Sequence, residues 1–258
     1  AYIRVGSASD APPIVLVHGA YNGAQIWEHN FLPFFAEKGY TVYAINLKRP
    51  EDKNDIRTLF RYKLDDYVDR LATLVDSLDQ PPILVGHSMG GLVVQSYLSR
   101  HPQAASGVCL LASLPPFGLK HTLWGMVKSP ILLLIYTLLT LFPAIGRTNK
   151  PPKGLLSDAA SDQNKLRFQA SIQRESALAL WNCLFPKVSA DFARYAPLLI
   201  LGAEMDHLAL PKDVIQTGKF YGKEAQVYPS RGHFLMMDKD WEKVAELILL
   251  QLTPQKTL

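Results

Sequence analysis

The chain has 258 residues, 48% of them apolar and 19% charged, and a formal net charge of +4. That length suits one α/β domain carrying an insertion, and the charged fraction lies below the usual quarter or so, which points to more apolar surface than average. No long basic run and no basic-aromatic interleaving is present, so nucleic acid is not an expected partner.

In chain order, Ile3–Val5 reads as a short edge strand, and Ile14–Val17 as a buried strand running into His18-Gly19-Ala20. A helix is expected from Trp27 to Lys38, stopped by Gly39, then a strand over Thr41–Ile45 and a polar, charged loop from Lys48 to Arg57. Leu64, Tyr67, Val68, Leu71, Leu74, Val75 and Leu78 mark one face of an amphipathic helix. Ile83-Leu84-Val85 is a strand, and Leu92 to Leu98 carries helical spacing up to Arg100-His101-Pro102. Gly107–Leu111 is the next strand. Strands alternating with helices at this interval predict a mostly parallel α/β sheet of six to seven strands with helices on both faces.

The alternation stops from Ser113 to Arg194, where no strand is expected. The apolar run Ile131–Phe142 has Ser129 as N-cap and Pro130 as first helical residue, and Pro143 stops it. Its twelve residues fall short of the roughly 20 that cross a bilayer, so no transmembrane span is expected. A second helix is expected over Asn164–Leu184. Residues 113–194 therefore read as a helical cap, or lid, inserted in a core formed by 1–112 and 195–258. Leu198–Gly202 resumes the strands, followed by a helix from Pro211 to Phe220, a strand at Ala225–Tyr228 and a closing helix from Trp241 to Leu252. The tail from Thr253 reads as frayed.

Cys109 and Cys183 lack metal-ligand spacing and read as free structural thiols, and no cofactor or metal is expected. No signal peptide is visible. The start at Ala1 rather than Met leaves room for a processed amino terminus, and a cytoplasmic location is the expectation.

The chemistry centres on Gly86-His87-Ser88-Met89-Gly90, which lies between a strand and a helix. Such a turn reverses sharply, and a Cβ at Gly86 or Gly90 is expected to strike its opposite arm. The turn lifts the Ser88 hydroxyl clear of the sheet and places the Met89 amide at a helix N-terminus. On the pentapeptide alone, a serine-capped glycine turn is an equal reading. A serine needs a base, and the base an acceptor that fixes its tautomer. His233, in the loop after the last strand, is the base expected. Asp206 is the expected acid, with nearby Glu204 as the alternative. His87 flanks the nucleophile and is not a base, and His207 stands beside the acid. Gly19 lets the backbone turn so that the Ala20 amide joins that of Met89 as an oxyanion hole, where one donor is worth about 3 kcal/mol of barrier. His18 is expected to brace this loop.

These residues resemble the α/β-hydrolase superfamily, whose nucleophile elbow is Gly-x-Ser-x-Gly. His18, Gly19, Ala20, Gly23, Ala24 and Trp27, with Gly202 to Asp206 and Gly232-His233, are similar to the plant esterase and hydroxynitrile-lyase branch and its bacterial serine esterase relatives. The resemblance implies a Ser88, Asp206, His233 triad under a helical cap. Haloalkane dehalogenases and epoxide hydrolases of this fold carry Asp where Ser88 stands. Hydroxynitrile lyases of the branch carry Thr at the place of Gly19 and Lys at that of Phe234. The expected function is thus a serine carboxylic-ester hydrolase acting on a small-molecule ester with a substantial apolar part. Peripheral lipid contact through the cap is part of this expectation. Lactonase, thioesterase or perhydrolase chemistry, or a ligand-binding receptor with a vestigial triad, are the alternatives.

Overall fold

The computed structural model describes residues 1–7, 9–119 and 152–253. The apolar run of residues 131–142, its cap at 129 and the tail beyond Thr253 lie outside the described residues. Seven strands, β1 (Tyr2–Val5), β2 (Ile14–Val17), β3 (Val42–Ile45), β4 (Ile83–His87), β5 (Gly107–Leu111), β6 (Leu198–Ala203) and β7 (Ala225–Tyr228), form one sheet in the order β1-β3-β2-β4-β5-β6-β7. Among the described residues, only β1 runs antiparallel, against β3; the other pairs are parallel.

The helices are α1 (Phe31–Glu37), α2 (Leu64–Val75), α3 (Met89–Arg100), α4 (Asp162–Ser171), α5 (Ala177–Asn182), α6 (Pro211–Tyr221) and α7 (Trp241–Leu252). Side chains alternate between the two faces of each central strand. Val15, Val17, Leu84, Val108, Leu110 and Ile200 face one apolar cluster, which holds α2, α3 and residues of α6. Ile14, Leu16, Ile83, Val85, Cys109, Leu111, Leu199 and Leu201 face the other, which holds α1 and α7. Strands apolar on both faces are what a helix-covered parallel sheet requires.

Three sequence expectations are corrected. The helix after β2 begins at Phe31, and Ala24–Trp27 is a separate 3-10 turn; the side chain of Asn30 turns away to donate to the Met236 carbonyl at 2.8 Å. The polar loop holds two 3-10 turns, Pro50–Asn54 and Ile56–Phe60. They are tied by Asp52, whose carboxylate takes Arg49, Arg61 and the Tyr62 hydroxyl, and whose carbonyl accepts from Thr58 Oγ1 at 2.6 Å. The helix expected over 164–184 is two helices. At Ile172 the backbone extends, the Gln173 N–H donates to the Tyr21 carbonyl at 2.7 Å, and Ser176 caps a new helix through the Ala179 N–H.

Residues between β5 and β6 pack directly on the sheet layers. Ala179, Cys183 and Phe192 join the cluster of α2 and α3, and Leu156, Phe168 and Ile172 join that of α1 and α7. Among the described residues no helix is long and apolar enough to cross a membrane.

Close packing at the sheet's carboxyl edge gives a sharp prediction. A methyl group at Gly90 would run into the Val17 and His18 carbonyl oxygens. Gly90→Ala should therefore lower stability by about 3 kcal/mol, read as a reduced urea midpoint at unchanged slope.

Candidate active site

β4 passes into α3 through Ser88, whose backbone stands at φ 53° and ψ −123°. This left-handed conformation is strained for a residue with a Cβ. It is held by the Ser88 N–H donating to the Leu111 carbonyl at 3.1 Å and by the Ser88 carbonyl accepting from Gly91 and Leu114. Met89 is the first residue of α3, so its amide belongs to the first turn, where N–H groups lack partners within the helix.

The glycines around the turn are places of contact. A Cβ at Gly86 would meet Gly91 Cα at 2.7 Å, across the turn. Gly90 faces the end of β2 rather than the turn's opposite arm, which corrects the expectation for that residue. A Cβ at Gly19 would meet Ser88 Cβ at 2.8 Å and His87 Nδ1 at 3.0 Å, so the loop carrying Ala20 lies directly against the serine.

Asp206, in the loop after β6, and His233, in the loop after β7, meet in the interior. Asp206 Oδ2 accepts from His233 Nδ1–H at 2.6 Å. Asp206 Oδ1 accepts from the Leu208 and Ala209 N–H groups at 2.7 and 3.0 Å. Both side chains are buried. A carboxylate only accepts, so Nδ1 carries a proton, and in the neutral imidazole the lone pair stands on Nε2. Glu204 is exposed and accepts instead from the Ser230 N–H at 2.8 Å. His207 is exposed.

The imidazole pair approaches the serine through His87. The His87 and His233 rings are 4.7 Å apart, and His87 Nε2–H donates to the His233 carbonyl at 3.1 Å. Burial first, and then the neighbouring His233, pull His87 well below the ordinary histidine range, so it is neutral. Among the described residues no hydrogen bond joins the Ser88 hydroxyl to His233. Such contacts commonly tighten only with substrate bound.

His18 braces the loop of Ala20. Its Nε2 accepts from the Leu47 N–H at 3.1 Å, and its Nδ1–H donates to the Gly19 carbonyl at 2.8 Å. Burial, with the Lys48 charge adding to it, lowers His18 to about 4.

Asp238 and Glu175 are buried carboxylates at this edge that the sequence did not single out. Asp238 accepts from the Gly232, Ser157 and Lys239 N–H groups at 2.8, 2.9 and 2.7 Å, and from the Ser157 hydroxyl. It thus ties the loop of His233 to Ser157, while the His233 N–H donates to the Gly154 carbonyl at 2.8 Å. An acid closing the apolar run Phe234–Met237 was the available signal. Glu175 lies beside the loop of Ala20 and carried no pattern. Among the described residues no group of three His, Cys, Asp or Glu side chains is placed to hold a metal ion.

With this fold and site, the chain belongs to the alpha/beta hydrolase family, whose model matches residues 14–247. Salicylic acid-binding protein 2 of Nicotiana tabacum is 34% identical over 108 residues, 40% of this chain and 39% of that protein. The bifunctional esterase/perhydrolase DCH of Acinetobacter calcoaceticus is 31% identical over 113 residues, 43% of this chain and 40% of that protein. The match thus spans well under half the length of either curated relative. A thermophilic esterase from Thermogutta terrifontis shares the fold, with a TM-score of 0.71 at 18% identity over 96% of this chain and 90% of that one.

Asp238→Ala strands four donors, three of them buried, and should cost about 3 kcal/mol or more, measured by urea unfolding, with Asp238→Asn less damaging. His18 binds its proton more weakly when folded, with a value near 4 against 6.5. Its contribution is therefore complete above pH 6.5 and is lost as pH falls toward 4. The urea midpoint should fall between pH 7 and pH 5, and His18→Gln should flatten that fall.

Proposed function

We propose that this protein is a serine carboxylic-ester hydrolase that works through an acyl-enzyme. The observation that supports it most is the buried Asp206–His233 pair, with a defined tautomer, in van der Waals reach of the residue preceding a strained Ser88. In this reading His233 Nε2 takes the Ser88 proton as Oγ bonds to the ester carbonyl carbon. The carbonyl oxygen becomes an oxyanion held by the Ala20 and Met89 N–H groups. The intermediate collapses, the alcohol leaves with the proton from His233, and the acyl group stays on Oγ. Water, deprotonated by His233, then attacks the acyl carbon, and collapse returns the proton to Ser88 and frees the acid. Asp206 orients the imidazole and stabilises its charged form in both half-reactions.

We read residues 113–194 as the cap over this site and the run Ile131–Phe142 as the reason for an apolar substrate preference. The same machinery serves thioesters, lactones and perhydrolysis, and a relative named an esterase/perhydrolase keeps that chemistry in view. A relative named for binding salicylic acid does the same for a receptor role.

A fluorophosphonate should label the chain at one site, Ser88, with no labelling in Ser88→Ala and strongly slowed labelling in His233→Ala. Asp206→Asn should lower kcat about 10,000-fold. A chain that never takes the label is not a serine hydrolase. Across p-nitrophenyl esters, kcat/KM should rise from acetyl to octanoyl; an acetyl preference removes the apolar part of the reading.

A further inference from the structure

The loop that carries the Ala20 amide is gripped from outside the sheet. Tyr21, the next residue, stands at φ 62°, a conformation that a residue with a Cβ keeps only where its surroundings hold it. Both its backbone groups are held by one short segment between α4 and α5. The Gln173 N–H donates to the Tyr21 carbonyl at 2.7 Å, and the Tyr21 N–H donates to Glu175 Oε2 at 3.0 Å.

Glu175 is fully buried and accepts three further hydrogen bonds: from Lys48 Nζ at 2.8 Å, the Tyr67 hydroxyl at 2.6 Å and the Ser176 N–H at 2.8 Å. Burial pushes its carboxyl up, but the Lys48 ammonium and these hydrogen bonds outweigh that and hold it below the ordinary range. Lys48 is itself buried, with Glu175 as its ion-pair partner at 2.8 Å. A buried ion pair is a poor source of stability compared with apolar packing of the same volume. What it supplies here is direction: a fixed acceptor aimed at the N–H of the residue after Ala20.

We propose that Glu175, balanced by Lys48, is a positioning residue that locks Tyr21 in its left-handed conformation and so aims the Ala20 amide at the oxyanion formed on Ser88. The proposal rests on the acyl-transfer reading of Ser88. It makes the segment 173–176 part of the oxyanion hole although none of its atoms touches the reacting carbonyl. Without the grip, Tyr21 relaxes toward ordinary backbone angles, the Ala20–Tyr21 peptide swings, and the Ala20 backbone joined to it shifts, carrying the Ala20 N–H of the Gly19–Ala20 peptide with it. The Ala20 N–H then no longer meets the oxygen in the transition state, while ground-state binding changes little.

The test uses the full chain. Glu175→Gln keeps the shape of the side chain and removes its charge, and Lys48→Met/Glu175→Gln also removes the ammonium left unpaired. In folded protein, kcat should fall about 10- to 100-fold with KM nearly constant. Affinity for an arylboronic acid, which mimics the tetrahedral adduct on serine, should fall by the same factor. Wild-type kcat and boronate affinity in either variant, with only a lower unfolding midpoint, would mean a structural role and overturn the proposal. Should both variants fail to fold, Tyr67→Phe decides: it strips one donor from Glu175 and leaves both charges in place. A few-fold loss of boronate affinity supports the proposal, and an unchanged affinity overturns it. Wild-type protein that resists fluorophosphonate labelling fails at the earlier step, and the positioning role falls with it.

Discussion

The end of β2 and the turn after β4 must come closer together than side chains permit. β2 and β4 are neighbours in the sheet, so the loops that follow them leave the same edge side by side. One carries Ala20 and the other Ser88 and Met89. Adjacent strands set the spacing of these loops at roughly 5 Å. Gly19 and Gly90 allow the loops to touch: one lies against Ser88 Cβ and the other against the β2 carbonyls. The strained backbone at Ser88 is the cost of reversing into α3 within that space. Asp206 and His233 follow from the same logic farther along the sheet. Their loops leave β6 and β7, and the His233 loop reaches back until its carbonyl meets His87.

Asp206, Glu175 and Asp238 are among the buried carboxylates at this edge, and each of these is satisfied in a different way. Asp206 shares its two oxygens between His233 and a pair of backbone amides. Glu175 has an ammonium partner in Lys48. Asp238 has backbone amides and a serine hydroxyl. A buried charge left without partners costs far more than an ordinary contact returns, so each of these groups holds its donors firmly. The donors are the loops of the site. Asp238 and Gly154 anchor the His233 loop, and Glu175 and Gln173 anchor the loop of Ala20 and Tyr21. Gly154, Gln173 and Glu175, and the Ser157 that Asp238 holds, come from the stretch between β5 and β6, so residues far from the serine in sequence set the stiffness of its surroundings.

Much of this architecture is legible in the sequence because it depends on local periodicity. Ile14–Val17, Ile83–Val85 and Leu198–Leu201 are apolar at every position because both faces of a central parallel strand are covered. The spacing of Leu64, Tyr67, Val68, Leu71 and Val75 declares the buried stripe of α2 in the same way. The turn at Ser88 is readable too, since glycine on both sides of a serine between strand and helix has few other uses. Local patterns fail where a distant partner decides. The helix read across 164–184 breaks at Ile172 because the Gln173 N–H has a better acceptor in the Tyr21 carbonyl. Trp27 lies outside α1 because it is buried in a 3-10 turn of its own.

The sequence by itself therefore determined the parallel α/β sheet, the elbow at Ser88, and the candidacy of Ala20, Met89, Asp206 and His233. Only the tertiary structure decided which acid faces the imidazole, that Gly90 makes room for β2 rather than for its own turn, and that Glu175 and Asp238 are buried anchors. The physical reason is range. Periodicity and turn chemistry act over a few residues, whereas a buried carboxylate is defined by donors 81 and 154 positions away, and nothing in the local sequence records them.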